Sequence, residues 1–268
     1  MARAWKTTLA LALTAIMLFP IWWMVNVSFT ARESIRKSQL LPFDFTTEHY
    51  QVVLSEQLPF LMTSFVVGIG TVLLTLVVAA PAGYGLAKLP VPGGRSLSFV
   101  LIVAQMIPAV VMALGFYSIY TRLGILNTIP GLILADSTLA VPFAVMLFTA
   151  FMRGVPEELI QAAQLDGASA WRTFRSVLMP ISRNATITVA LFTFLWAWSD
   201  FLFASTLARE GGALRPITLG IYNYIGAQNQ EWGPMMATAV MASIPTAVLL
   251  IVAQKYMAAG VTAGAVKD

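Results

Sequence analysis

Six stretches of this chain run for about 20 residues or more with almost no charge, and nothing else in the sequence constrains its fold as much. A helix needs about 20 mostly apolar residues to cross the hydrocarbon core of a bilayer. In that medium each backbone N–H and C=O must find its partner within the protein, which a helix achieves alone. The sequence therefore predicts spanning helices near 8–29, 61–87, 98–121, 129–152, 184–208 and 235–254. The fold class is an all-α integral membrane protein, with residues 1–268 forming one transmembrane domain. Composition agrees: 10% of residues are charged, where a soluble domain carries about a quarter.

The first apolar run could be mistaken for a secretory leader. It continues through "IMLFPIWWMV", beyond a leader's apolar core of about 7–15 residues, and has no small-residue cleavage site at its end. It reads as a retained helix. The chain has no cysteine, which excludes disulfides, thiol catalysis and Cys-ligated zinc. His49 is the single histidine and has no companion ligand, so no metal site is expected. The net charge of +4 comes from scattered basic residues at helix flanks rather than a patch for nucleic acid.

With the N terminus inside, Arg3, Lys6, Lys88, Arg95, Arg153, Arg172, Arg175, Arg183, Lys255 and Lys267 flank the inner side. Arg32, Arg36, Lys37, Arg122, Arg209 and Arg215 flank the outer side. The excess of inner basic residues predicts cytoplasmic N and C termini. Pro20, Pro81, Pro108, Pro142 and Pro245 interrupt the spans. They fit either kinks in a packed bundle or flexible helices around a pathway.

The inner loop 153–183 is the most informative segment. Pro156, Glu157 and Glu158 form a helix start, with proline in the first turn and acids at the positive dipole end. Asp166-Gly167 breaks that helix, and Gly167 can adopt the left-handed conformation that ends one. Ser169 can cap a second helix over 170–179, with Trp171, Phe174, Val177 and Leu178 on one face. Pro180 stops it. Two readings of this helix–turn–helix are open: an amphipathic hairpin on the lipid surface, or a docking knob. Small residues at Ala162, Ala163 and Gly167 favour the knob, because they let another surface approach closely.

"QAAQLDGASAWRTFRSVLMP" resembles the coupling loop of ABC-importer permeases, whose pattern is Glu-Ala-Ala, three residues, Gly, and a closing Pro. Ala162, Ala163, Asp166, Gly167, Ala168 and Pro180 match, and Gln161 stands where the family has Glu. Gln keeps hydrogen bonding but loses charge assistance. "FTTEHYQVVL", "LGILNTIPGLIL", "WAWSDFLFA" and the tail "AGVTAGAVKD" are similar to the MalG-like carbohydrate-importer permeases, in consistent order along nearly the whole chain. The resemblance implies a type I importer fold and a coupling helix at 153–183 seated on a separate ATPase. It also implies a cytoplasmic tail, 255–268, reaching between two ATPase subunits through Gly260, Thr262, Gly264 and Lys267. The implied partners are a homologous, MalF-like second permease, two ATPase subunits, an extracytoplasmic sugar-binding protein, the sugar and membrane lipid. The implied location is a prokaryotic cytoplasmic membrane.

The chain lacks the G-x-x-x-x-G-K-[ST] phosphate loop; "GYGLAKLP" at 83–90 does not supply it. The expectation is a non-catalytic subunit that binds no cofactor, with ATP and Mg on the partner ATPases. Intramembrane acids usually face an interior cavity or a partner. Asp136 and Asp200 are therefore candidates for the substrate path, joined by Trp196 and Trp198, whose rings suit sugar C–H faces. Asn223, a further substrate-path candidate, lies in the loop before the last span, with Tyr222, Tyr224, Asn229, Gln230 and Trp232; that loop is either solvated or, as the resemblance implies, a contact for the external sugar-binding protein or the outer gate. The alternative function is a self-sufficient secondary transporter or channel, which needs an ion-coupling constellation, a filter or repeats. The loop 153–183 is the feature that only the ABC reading explains.

Overall fold

A computed structural model describes residues 2–37, 40–208, 214–226 and 230–265, with side chains described over 5–37, 40–208, 214–226 and 230–254. Among the described residues the regular elements are helical: α1 (Ala2–Ser28), α2 (Glu48–Lys88), α3 (Gly94–Ala104), α4 (Ala109–Leu123) and α5 (Ile129–Arg153). Next come α6 (Glu157–Leu165), α7 (Ala170–Thr173), a π-helical turn over Phe174–Leu178, α8 (Met179–Ile181) and α9 (Arg183–Ser199). Then follow α10 (Leu202–Leu207), α11 (Ile217–Gly220) and α12 (Trp232–Ala265).

Helix α2 begins well before the apolar run near 61–87. His49, Val53, Gln57 and Leu61 recur every four residues and are all buried, so an amphipathic stretch carries the helix beyond its apolar part. Glu48 in the first turn and Lys88 in the last complement the helix dipole at both ends.

Two spans depart from the single helices expected of them. The run near 98–121 is α3 plus α4, bent by 94°. Pro108 has no N–H to donate and disfavours helical backbone at Ile107; its own ψ of 130° leaves the helix. The run near 184–208 is α9 plus α10, separated at Asp200, whose backbone is extended (ψ 127°). The last helix continues past the expected end at 254, to Ala265.

The core is built on α2, α5 and α9. Gly83 on α2 lets the backbones of α2 and α5 touch: a Cβ there would stand 2.5 Å from Phe148 Cβ and 3.1 Å from the Thr149 nitrogen. Close approach at small residues is how helices associate in lipid, where the hydrophobic effect gives little. Around this contact Ala80, Tyr84, Ala144, Phe148, Met152, Phe174 and Leu178 form the cluster at the end of the bundle where α5 leads into α6. A second cluster joins Val67, Leu132, Ala135, Phe203 and Leu207 with Tyr120 of α4. The apolar stretch of α1 is not buried within this chain.

Candidate functional site

The hairpin between α5 and α9 has a fused base and a free tip. At the base, Ile160 on α6 and Phe174 and Leu178 on the second arm are buried against Tyr84, Met152 and Val155. Tyr84 stacks on Phe174, with ring centroids 5.4 Å apart. At the tip, Leu165 is 89% exposed. Gln161, Ala162, Asp166 and Gly167 are also exposed, while Ala163 and Ala168 are half-buried.

The turn is made by local hydrogen bonds. The nitrogens of Asp166, Gly167 and Ala168 donate to the carbonyls of Ala162, Gln164 and Ala163, at 3.0, 3.0 and 2.9 Å. Gly167 has φ +76°, the left-handed region that L side chains rarely adopt. Ser169 caps the second arm by accepting from Arg172 N at 3.3 Å. That arm is not the continuous helix expected over 170–179, and Pro180 does not stop it: with no N–H needed in a first helical turn, Pro180 lies inside α8, which runs to Ile181. The arm widens into the π turn, where Met179 N reaches back to Phe174 O, one turn before the exposed Pro180, which has no N–H. The widening buries Phe174 and Leu178 but leaves Trp171 62% exposed, its ring 5.1 Å from Phe174.

Of the expected substrate-path residues, Asp136 and Asp200 stand close enough to feel each other's charge, while each of the candidates makes its own separate contacts. Asp200 caps α10: its Oδ1 accepts from Phe203 N at 3.2 Å and its Oδ2 from Ala204 N at 2.8 Å. Its carbonyl accepts from Thr218 Oγ1 at 2.7 Å, which satisfies backbone freed by the break. Trp198 is buried and donates from Nε1 to the Ala242 carbonyl at 3.0 Å, tying α9 to α12. Trp196 is half exposed. Asp136 is buried on α5, and its Oδ1 has no hydrogen-bond partner. Asn223 accepts from Arg215 at 3.3 Å.

A groove of about 480 Å³ runs instead between the end of α9, α11 and α12, lined in part by Trp198, Ser199, Thr218, Ser243 and Thr246. Ser199, Thr218 and Ser243 each donate to a backbone carbonyl, at 2.7 Å in every case. What remains free on these oxygens is acceptor capacity. Single hydroxyls on separate helices give no sequence signal as a group, which is why sequence reasoning passed over them.

At the end of α2 remote from the hairpin, the outer side expected from the sequence, a cavity of about 470 Å³ gathers Arg32, Glu33, Glu48, His49, Gln230 and Trp232 from the loop after α1, the start of α2 and the segment before α12. Arg32 and Glu231 pair across it at 3.2 Å. His49 is buried and donates from Nε2 to the Thr30 carbonyl at 2.9 Å, a structural role that leaves its ring packed on Gly233. Tyr224 donates to Glu56 Oε2 at 3.0 Å, and burial pushes its phenol up to about 12, so it remains a donor at any physiological pH. Of the other candidates, Gly260, Thr262 and Gly264 fall on the backbone of α12. Lys267 and Asn229 lie outside the described residues.

Residues 79–263 match the family model described as "Binding-protein-dependent transport system inner membrane component". The chain is 31% identical to the trehalose transport system permease protein SugB of Mycobacterium tuberculosis, over 93% of this chain and 92% of that one. It is 28% identical to the trehalose/maltose transport system permease protein MalG of Thermococcus litoralis, over 96% and 94%. A chain of a bacterial ABC transporter involved in import of the acidic polysaccharide alginate superposes with a TM-score of 0.82 at 20% identity, covering 95% of this chain and 96% of that one.

Proposed function

From the premise that this chain belongs to the family of binding-protein-dependent transport system inner-membrane components, we propose that it works as follows. It is a multi-pass, non-catalytic membrane subunit of a carbohydrate-uptake ABC importer. It forms half of the pathway, with a homologous permease as the other half. Two separate ATPase subunits bind ATP and Mg, and an extracytoplasmic binding protein delivers a sugar to the outer cavity. The N and C termini are cytoplasmic, so the hairpin tip meets the ATPases and the outer cavity faces the binding protein.

The observation that carries this reading is the hairpin. Its base is packed into the spans while its tip offers an exposed Leu165 beside the left-handed Gly167. Such a shape passes a push at the tip to the helices that bound the pathway. A hairpin lying on lipid would need no fused base. At the tip, Gln161, Ala162, Ala163, Asp166, Gly167 and Ala168 form the docking face, and Pro180 lies in the helical turn Met179–Ile181 that closes its second arm. The tail residues Gly260, Thr262, Gly264 and Lys267 are the second contact with the ATPase pair, as the resemblance implies.

The wall this chain gives to the sugar path is the groove with Ser199, Thr218, Ser243 and Thr246. Oxygens that have spent their own proton on backbone carbonyls accept from a solute rich in hydroxyls. In this reading Asp200 and Trp198 shape the groove rather than bind sugar.

The test is purification of the tagged chain from native membranes in mild detergent. An ATPase and a second permease in constant ratio, with ATP-dependent trehalose or maltose uptake after reconstitution with the binding protein, is the expected result. A chain that purifies alone and moves solute in liposomes without ATP overturns the proposal.

A further inference from the structure

Lys88, in the last turn of α2, is a long basic side chain at the membrane boundary that is almost wholly withdrawn from water. Its side chain is 6% exposed. The ammonium donates to the Val155 carbonyl at 2.7 Å and to Glu157 Oε2 at 2.9 Å. Those two groups bracket Pro156, so Lys88 grips the hairpin where its first arm begins. A nearly buried ammonium is tolerated only when paired and hydrogen-bonded, so this geometry is held tightly. The carbonyl of Val155 lies between α5 and α6, outside either helix, and Lys88 supplies it a donor. Four residues earlier Tyr84 stacks on Phe174 in the second arm, and Gly83 touches α5 backbone to backbone. The end of α2 thus holds both arms separately, the first by an ion pair and the second by a ring stack. From there α2 runs unbroken for 41 residues to Glu48 at the outer cavity.

We infer that Lys88 is a positioning residue for coupling: its bond to Val155 and Glu157 makes the first arm of the hairpin and α2 move as one body, so that displacement at the ATPase reaches the outer end of the path. This rests on the proposed docking of the hairpin tip. The linkage itself is a property of this chain and can be read separately.

The chain has no cysteine, so two introduced ones report alone. Spin labels at Gln164→Cys, exposed on α6 one turn beyond buried Ile160, and Val77→Cys, exposed on α2, measure the distance between arm and helix. In the wild-type complex the distribution is narrow and stays in place between nucleotide-free and ATP–vanadate states. Lys88→Met removes both contacts, and Glu157→Gln weakens one at a half-exposed site where folding is safe. Each broadens the distribution, Lys88→Met by about twofold because an arm with one attachment fewer samples more positions. Lys88→Arg, which keeps donors for both oxygens, restores the narrow peak. Wild-type distributions in both Lys88→Met and Glu157→Gln overturn the inference. If no ATPase accompanies the wild-type chain, the functional proposal fails alone; the nucleotide-free distributions still decide the Lys88 linkage.

Discussion

Gly167 shows how one residue can be required without touching anything. A Cβ built on it meets nothing within 4 Å, yet its φ is +76°. The cost of replacing it is therefore backbone strain alone, about 1–2 kcal/mol for an ordinary L residue. A β-branched side chain suffers most. Gly167→Val is expected to rearrange the turn and lower ATP-driven sugar uptake on the order of tenfold, while Gly167→Asn, which tolerates this backbone, loses far less. Uptake by whole cells, normalised to the amount of chain in the membrane, checks it; wild-type uptake by Gly167→Val would remove the tip from the docking surface. The sequence disclosed this glycine through its Asp-Gly context. It did not disclose Lys88, which looks like any basic flank; its partners stand 67 and 69 residues away, and only folding brings them together.

Breaks decide the shape of the elements. Pro108 divides α3 from α4 by a rule that can be read in any sequence, since proline lacks the N–H. Asp200 divides α9 from α10 by a rule that cannot be, because an acid in an apolar run reads equally well as a cap or as a ligand. Each of its oxygens accepts from a helix nitrogen, Phe203 and Ala204, which makes it a cap. Asp200→Asn keeps a good cap and is expected to leave both stability and sugar uptake near wild type. Asp200→Ala removes the cap and costs about 1 kcal/mol. Thermal unfolding of the purified complex and uptake of the cognate sugar read the two effects. An Asn variant as impaired in uptake as the Ala variant would return Asp200 to the sugar path.

At the scale of the molecule, function depends on which end of the bundle faces which compartment. Leu165 and Tyr222 are exposed at the hairpin tip and on the segment before α12. With single cysteines in a cysteine-free chain, a membrane-impermeant maleimide is expected to label Leu165→Cys only in inverted vesicles and Tyr222→Cys only in right-side-out ones. The opposite pattern would reverse the orientation and place the hairpin away from any cytoplasmic ATPase. By itself the sequence determined the membrane class, the apolar stretches and the hairpin's helix–turn–helix, because apolar length, proline, glycine and capping residues act locally. Only the tertiary structure decided that Trp198 packs inward, that α2 continues past its apolar part to the cavity remote from the hairpin, that the second arm widens into a π turn, and that Lys88 ties that helix to the hairpin. Each of these depends on contacts between segments far apart in the chain, where a single side chain carries no mark of its partner.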